Sequence, residues 1–309
     1  MINDTHSPTE KPGNGTGTGL QDALQQHLLV VGLARNCGAQ LGRDIAALAG
    51  VLERFRKVSW LVIESDSDDD TVQQLEKLAA GMQNFRFLSL GRLREQKPLR
   101  ADRIASCRNR YLDELRSNPL YADASYLVVA DLDNMNNLLT QQAFLSCWER
   151  HDWDVCAANQ RGPYYDIWAL RHALWSPNDC WAQYRFLVAN GLAPEQALFT
   201  AVQSRMIRID ESRAWIEVDS AFSGLAIYRR DALGEDGYVG LTADGEEVCE
   251  HVALHRALRA RGQRIYINPA LVNTGVTEHT RVLFWPARLK RRMKGLLGPL
   301  LSWLRRIRA

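Results

Sequence analysis

Short apolar runs alternate with amphipathic stretches along the first half of the chain. The runs are rich in Val, Leu and Ile, and they are predicted to be strands at 27–33, 58–63, 85–90, 125–130 and 152–159. The stretches between them have helical spacing and are predicted to be helices at 39–56, 71–82, 102–115 and 140–150. This alternation predicts an α/β fold with a mainly parallel sheet flanked by helices.

The second half of the chain does not continue this regular alternation. Residues 162–171 are aromatic, polar and turn-rich, and two apolar stretches within 215–230 are joined by a turn at Ser223 and Gly224. A helix is expected over 246–262, ending at Gly262, and a strand over 263–269.

Both ends of the chain differ from this body. Residues 1–22 contain mostly Gly, Thr, Asn and Pro around few apolar groups, so we expect them to be disordered. Residues 281–309 carry nine Lys or Arg and no acid, interleaved with Leu and Trp. This profile predicts a helical tail lying on an anionic membrane surface. Nucleic-acid binding is less favoured, and packing against a protein partner stays open.

Bulk composition excludes little. The formal net charge is +2, and the six cysteines include no C-x-x-C pair, which argues against a zinc ribbon or a redox motif. The polar beginning does not resemble a signal peptide, and no stretch has the apolar length of a membrane span. These features predict a cytoplasmic protein, held peripherally on the cytoplasmic face of the membrane by the tail.

Two acids follow the strand at 125–130. Asp131 and Asp133 are two residues apart, so in an extended chain both point to the same side. Ligands of open α/β sheets bind beyond the carboxyl ends of the strands, and paired carboxylates suit Mg²⁺ or Mn²⁺ gripping a diphosphate. The alternative is a solvated turn that caps the next helix.

Other polar residues follow the neighbouring strands. Arg35 could meet a phosphate or lie in an exposed loop, and Glu64 and Asp66 could hold a ribose or a base edge or cap the next helix. Arg103 and Arg110 share a helical face that either binds phosphate or faces solvent. There is no Gly-x-Gly-x-x-Gly and no P-loop, which weakens the dinucleotide and ATPase interpretations.

Candidates in the second half are aromatic or imidazole side chains. The aromatic loop around Trp168 could stack on sugars or bases, although aromatics more often form the core under a long loop. His251 and His255 lie on one helical face, which is a weak metal signal, and hydrogen-bonded or surface histidines are favoured. His279 is free to fold back as a metal ligand.

Five blocks, in the same order, resemble the fungal capsule-associated (alpha-1,3-)mannosyltransferases within the GT-A class of nucleotide-sugar-dependent glycosyltransferases. They stand at 33–36, 63–71, 103–110, 165–171 and 249–269, so the resemblance covers roughly 28–280. Asp131-Leu132-Asp133 is the plain GT-A form of the acidic pair. Cys249-Glu250-His251 stands where the family commonly has Ser-Glu-Cys, and it also resembles the Glu-Asp motif of inverting enzymes with His in place of Asp.

The resemblance implies a GT-A domain at 23–280 that transfers a sugar from a nucleotide-diphosphate donor, such as GDP-mannose, with Mn²⁺ or Mg²⁺. The acceptor would be a surface polysaccharide or a lipid-linked glycan, with a retaining outcome slightly favoured over an inverting one. No nucleic-acid partner is expected.

The resemblance also implies a role for each candidate residue. Asp133 and Asp131 would bind the metal with His279 as third ligand, and Asp131 could instead contact the ribose. Arg35, Glu64 and Asp66 would line the nucleotide pocket, and Arg103 would lie near the diphosphate. Glu250 and His251 are the candidate catalytic residues. The acceptor side would be formed by Tyr165, Asp166 and Trp168.

Two rival functions remain at this stage. A sugar-phosphate nucleotidyltransferase would use a related sheet and an acidic metal site, but its Gly-rich activation loop is not evident after the first strand. A non-catalytic glycan- or membrane-binding protein with a decayed site is the second rival, and the intact acidic pair argues against it.

Overall fold

The computed structural model describes residues 19–281 and residue 283. The predictions for 1–18 and 284–309, including the helical tail, lie outside these residues. The described chain begins with a helical turn at Leu20–Leu24, so the predicted disordered segment does not extend to residue 22.

Within the part of the chain that the structure describes, the sheet and the helices around it are built from the following elements. The strands are β1 His27–Ala34, β2 Lys57–Glu64, β3 Phe85–Ser89, β4 Ala124–Ala130, β5 Val155–Gln160, β6 Ile216–Val218, β7 Leu225–Arg229 and β8 Ile265–Thr274. The helices are α1 Leu20–Leu24, α2 Gly38–Leu52, α3 Thr71–Gly81, α4 Arg100–Ser117, α5 Gln141–Leu145, α6 Cys180–Ala189, α7 Pro194–Ala201 and α8 Glu250–Ala260.

All eight strands form one sheet in the order β3-β2-β1-β4-β7-β5-β8-β6. β1 is parallel to both β2 and β4, β2 is parallel to β3, and β5 is parallel to β8. β7 is antiparallel to β4 and β5, and β6 is antiparallel to β8. The predicted mainly parallel α/β fold is therefore confirmed, with β7 inserted between its two parallel halves.

Each face of the sheet is covered by helices because successive strand residues point to opposite sides. Leu29 and Val31 of β1 belong to one core with residues of α4 and α8. Leu28 and Val30 belong to the other core, with residues of α2, α3 and α5. The sheet is thus buried on both faces, as parallel sheets usually are.

Three boundaries differ from the sequence predictions in ways that shape the site. The helix predicted from residue 246 begins at Glu250, which places this acid in a helix's first turn. The last strand continues to Thr274 and carries Asn273 towards the acidic pair. The helix predicted at 140–150 is α5 followed by a 3₁₀ turn at Ser146–Trp148.

Helices α6 and α7 pack against each other as a hairpin that the sequence patterns did not predict. Among the residues that the structure describes, no helix is long and apolar enough to cross a membrane.

Candidate active site

A cleft of about 670 Å³ opens at the carboxyl ends of β1, β2 and β4. It lies where ligands of open α/β sheets bind. Eleven of the twelve predicted site residues line it, and these are Arg35, Asp66, Arg103, Asp131, Asp133, Tyr165, Asp166, Trp168, Glu250, His251 and His279. The topology therefore brings together side chains spread over most of the described chain.

Glu64 is the predicted site residue that does not line the cleft. It is buried at the end of β2, where it accepts hydrogen bonds from the Ser67 backbone N–H at 3.0 Å and from the Ser89 hydroxyl. Glu64 therefore lies beneath the cleft and holds the loop that presents Asp66, and its nucleotide contact stays a prediction.

Asp66 is buried and has a left-handed backbone conformation, with φ of 62°. Its carboxylate accepts a hydrogen bond from the Arg94 backbone N–H at 2.9 Å, and the Arg103 Nε lies 3.8 Å from it. Arg103 also donates hydrogen bonds to the carbonyls of Lys97 and Pro98, at 2.8 and 2.6 Å. Asp66 thus orients an arginine at the cleft wall rather than offering a free carboxylate to a ligand.

The acidic pair lies on the turn that follows β4. The Asp131 backbone N–H donates to the carbonyl of Gly224 at 2.9 Å, so the turn is tied to the inserted strand β7. Asp133 is exposed within the cleft, and no side chain of the described residues donates a hydrogen bond to its carboxylate. Desolvation and the negative charges of Asp131, Asp44 and Glu278 raise the pKa of Asp133 to about 7.

These charges provide a test of whether the site fits a metal ion. Two neighbouring carboxylates in a cleft, of which Asp133 has no cationic side-chain partner among the described residues, fit a hard divalent cation. However, no group of three or more His, Cys, Asp or Glu side chains within 19–281 is arranged to hold a metal. The predicted three-ligand set is therefore not assembled: the His279 ring instead stacks on the Tyr165 ring, with centroids 5.5 Å apart. Asp131 and Asp133 remain the residues that fit a cation.

Arg108 is a central cleft residue that we did not select from the sequence. Its Nε donates to the Glu250 carboxylate at 2.9 Å, its Nη2 lies 3.5 Å from Asp131, and its guanidinium lies over the Phe222 ring at 4.9 Å. It connects the acidic pair of β4 with the first turn of α8.

A signal for Arg108 was present in the sequence. It shares a helical stripe of α4 with Ala101, Ala105, Leu112 and Leu115, which are buried and apolar or small. An arginine on such a stripe must find a buried acid. Arg110, which the seven-residue spacing paired with Arg103, is only partly exposed and forms an ion pair with Glu114 at 2.7 Å.

Behind Glu250 lies a buried network of rings. The Phe222 and His251 rings stack with centroids 4.0 Å apart, and desolvation lowers the pKa of His251 well below its ordinary value. His251 Nδ1 lies 3.4 Å from the Tyr228 hydroxyl, which also hydrogen-bonds His255 Nε2 at 2.8 Å. Both histidines are therefore buried and neutral. This agrees with the sequence interpretation that they are hydrogen-bonded rather than metal ligands.

His251 Nε2 is buried and has no hydrogen-bond partner among the described residues. It lies 3.6 Å from the Glu250 carboxylate. A buried polar atom without a hydrogen-bond partner costs free energy. The Glu250 carboxylate is the polar group beside this nitrogen, so its position affects that cost.

The predicted acceptor residues Tyr165, Asp166 and Trp168 also line the cleft. Asp166 accepts hydrogen bonds from the backbone N–H groups of Ser223 at 2.9 Å and Ala169 at 3.2 Å, while burial raises its pKa to about 6. Trp168 Nε1 donates to Asp179 at 3.1 Å. Asp166 thus supports the left-handed turn at Ser223 rather than extending freely into the cleft.

No protein-family model matches the chain, and no curated protein matches it. Solved structures with a similar arrangement include a mannosyltransferase from Pyrobaculum calidifontis in complex with GDP-Man and Mn²⁺, with 15% identity and a TM-score of 0.48. That alignment covers 91% of this chain and 65% of the other. A second is S. aureus TarS 1–349, with 14% identity, a TM-score of 0.43, and coverage of 78% of this chain and 58% of that one.

A third is glucosyl-3-phosphoglycerate synthase from Mycobacterium tuberculosis in complex with UDP, with 16% identity and a TM-score of 0.37. It covers 86% of this chain and 75% of that one. At these identities and TM-scores the similarities establish neither a family nor an activity for this chain. None of the three is a fungal capsule-associated mannosyltransferase, so that narrower resemblance stays a prediction.

Proposed function

We propose that this protein is a GT-A-type glycosyltransferase that transfers a sugar from a nucleotide-diphosphate donor to a glycan acceptor. The observation that carries the proposal is the acidic pair of β4, which lies in one cleft with arginines from the β1–α2 loop and from α4. This arrangement offers one region for a cation and another for phosphate oxygens.

The donor's diphosphate is proposed to lie between the acidic pair and the arginines. Asp131 and Asp133 would hold a divalent cation, Mn²⁺ or Mg²⁺, and such an ion neutralises charge on a phosphate leaving group. Arg35, Arg100 and Arg103 line the same cleft and are proposed to bind phosphate oxygens or the nucleotide. GDP-mannose is the donor that the family resemblance favours.

Glu250 is proposed to act on the reacting sugar. It lines the cleft at the start of α8, where helix N–H groups favour a carboxylate, and Arg108 orients it through a hydrogen bond of 2.9 Å. In an inverting transfer it would take the proton from the acceptor hydroxyl, and in a retaining transfer it would orient the sugar. The anomeric configuration of the product distinguishes these roles, with retention the favoured outcome.

The acceptor is proposed to be a surface polysaccharide or a lipid-linked glycan, bound on the side of Tyr165 and Trp168. The basic segment 281–309 would hold the enzyme on the cytoplasmic face of an anionic membrane, where such acceptors are offered. A sugar-phosphate nucleotidyltransferase is the second candidate, because it would use the same acidic pair.

Thermal shift measurements test the proposal. GDP, UDP, CMP and nucleoside triphosphates are each added with Mn²⁺ and with EDTA, and a ligand at about 100 times its dissociation constant adds about 2.7 kcal/mol of stability. A shift that requires the metal and one diphosphate supports the glycosyltransferase. A shift with triphosphates alone supports the nucleotidyltransferase, and no shift with any nucleotide contradicts both.

A matched pair of variants ties the shift to the acidic pair. Asp133→Asn removes the unpaired carboxylate of the cleft and should abolish the metal-dependent shift while the protein stays folded. Asp113→Asn removes an exposed carboxylate from the outer face of α4 and should leave the shift unchanged. An unchanged shift in Asp133→Asn would remove the assigned metal role.

A further inference from the structure

Exposed apolar side chains are concentrated on the α6–α7 hairpin and the turn before it. Of the ten large apolar residues exposed among the described ones, five lie within 174–199: Leu174, Trp181, Phe186, Val188 and Phe199. Leu174, Phe186 and Phe199 are 92%, 65% and 57% exposed. Single exposed apolar residues are normal on protein surfaces, but a concentration of them indicates an interaction surface.

The hairpin is apolar on both of its sides. Tyr184, Leu187 and Leu198 pack inward against the protein core, while Phe186 and Phe199 lie outside. Large apolar side chains on the outer face as well as the inner face favour an apolar environment on both sides of the hairpin.

Charge is sparse on this surface. Asp179, Arg185 and Glu195 are the charged residues within 174–202, and Asp179 is engaged in capping α6 and pairing with Arg171. A region with so few charges loses little hydration free energy when it is buried.

The hairpin opens onto the cleft. Cys180 and Trp181 at its beginning and Val202 at its end all line the cleft. His279 lines the same cleft, and two residues later the chain enters the segment 281–309 with its nine Lys or Arg and no acid. An apolar surface and the start of a strongly basic segment therefore share the rim of one cleft.

We propose that the α6–α7 hairpin, with Leu174, Phe186 and Phe199, is a membrane-docking surface that inserts into the interface of an anionic lipid bilayer. Apolar insertion and basic attraction are the two signals that together give stable interfacial binding. Because the hairpin and the start of the basic segment lie at its rim, the cleft faces the bilayer. Its acceptor is then a membrane-resident glycolipid or lipid-linked sugar. This last step rests on the proposed function.

The test is co-sedimentation of the full-length protein with vesicles of phosphatidylcholine containing about one third phosphatidylglycerol. The triple variant Leu174→Gln, Phe186→Gln, Phe199→Gln should lower the partition coefficient by about tenfold or more, because three large apolar side chains no longer enter the interface. All three side chains are more than half exposed, so their replacement should leave the folded state intact.

A matched single pair serves as control. Phe199→Gln should weaken vesicle binding, whereas Leu120→Gln should leave it unchanged. Leu120 is 56% exposed, close to the 57% of Phe199, but it precedes β4 at the end of the sheet opposite the cleft.

Three results would overturn the proposal. The first is vesicle binding by the triple variant that is as tight as that of the wild type, or tighter. The second is a wild-type protein that does not bind the vesicles. The third is a lipid-free wild-type dimer that the triple variant converts to monomer, which would make the partner a second copy. The metal-dependent nucleotide shift, measured on the same preparations, reports separately on the proposed function.

Discussion

At the scale of single residues, Arg108 balances the charge of the cleft. Its guanidinium is buried between the carboxylates of Glu250 and Asp131, at 2.9 and 3.5 Å. Without a cation between them, the Glu250 and Asp131 carboxylates would repel each other in this partly desolvated cleft. The positive charge of Arg108 therefore allows both carboxylates to line it.

Replacing Arg108 should destabilise the fold strongly. Arg108→Gln leaves a buried carboxylate without its partner, and the free energy of unfolding in urea should fall by about 3–5 kcal/mol. The double variant Arg108→Gln, Glu250→Gln should lose less than the sum of the two single losses.

Arg110 provides the control on the same helix. Its guanidinium is partly exposed, and Glu114 keeps a hydrogen bond from Asn118 at 2.7 Å, so Arg110→Gln should cost less than about 1 kcal/mol. Equal losses for the two arginines would contradict the role assigned to Arg108.

A second residue-scale prediction concerns the pH dependence of stability. Burial lowers the pKa of His255 to about 3, whereas a histidine in the unfolded chain titrates near about 6.5. Between these values the unfolded state binds a proton that the folded state excludes. The stability contributed by this neutral histidine is therefore complete above about pH 6.5 and decreases as the pH falls, by about 1.4 kcal/mol per pH unit.

His255→Gln removes that dependence. The destabilisation caused by the substitution should shrink by about 2 kcal/mol between about pH 7.5 and about pH 5, because only the wild type loses the contribution of His255 there, while His251 acts on both proteins alike. Urea unfolding at the two pH values measures the difference, with the exposed His151→Gln as control. A destabilisation that is the same at both pH values would show that His255 is not excluded from protonation.

At the scale of elements, the start of α4 depends on the loop before α8. The Ala101 backbone N–H donates to the Glu247 carboxylate at 2.7 Å, and Gly240 packs directly on the first turn of α4. A Cβ at Gly240 would collide with the Ala101 carbonyl. This loop therefore sets where α4 presents Arg100 and Arg103 to the cleft.

Gly240→Ala should disturb both stability and ligand binding. The forced displacement should lower the free energy of unfolding by about 1–3 kcal/mol and reduce the nucleotide-induced thermal shift. Gly50→Ala, in the interior of α2 with nothing near its Cβ position, should instead stabilise by up to about 1 kcal/mol. A Gly240→Ala protein with wild-type stability and shift would show that the contact is not required.

At the scale of the whole molecule, His279 lines the cleft two residues before the basic segment 281–309 begins. Lys290, Arg291, Arg292 and Lys294 lie in the most densely basic part of 281–309. Replacing all four with Gln should weaken binding to anionic vesicles by about two to three orders of magnitude at low salt, at about 1 kcal/mol for each charge.

Two comparisons check this prediction. Binding of the fourfold variant should be much less sensitive to salt than that of the wild type, because screening acts on the charges that were removed. The metal-dependent nucleotide shift should stay unchanged, since the cleft keeps its residues. A fourfold variant that binds anionic vesicles as tightly as the wild type would assign the attachment to another surface.

The alternation of apolar runs and amphipathic stretches determined much of this protein. It sufficed to predict the α/β class, six of the strands and the cleft residues at the strand ends, because strand burial and helix amphipathicity are local properties with fixed periods. Asp131 and Asp133 were predictable for the same reason: polar residues at the carboxyl ends of parallel strands meet at one edge of the sheet.

Only the tertiary structure decided how those side chains are used. It inserts β7 beside β4, buries Arg108 between Glu250 and Asp131, and turns Glu64 beneath the cleft while His279 stacks on Tyr165. These outcomes depend on contacts between residues that are far apart in the chain. The period of a strand or helix gives the direction of each side chain but does not identify the distant charge or ring that it contacts.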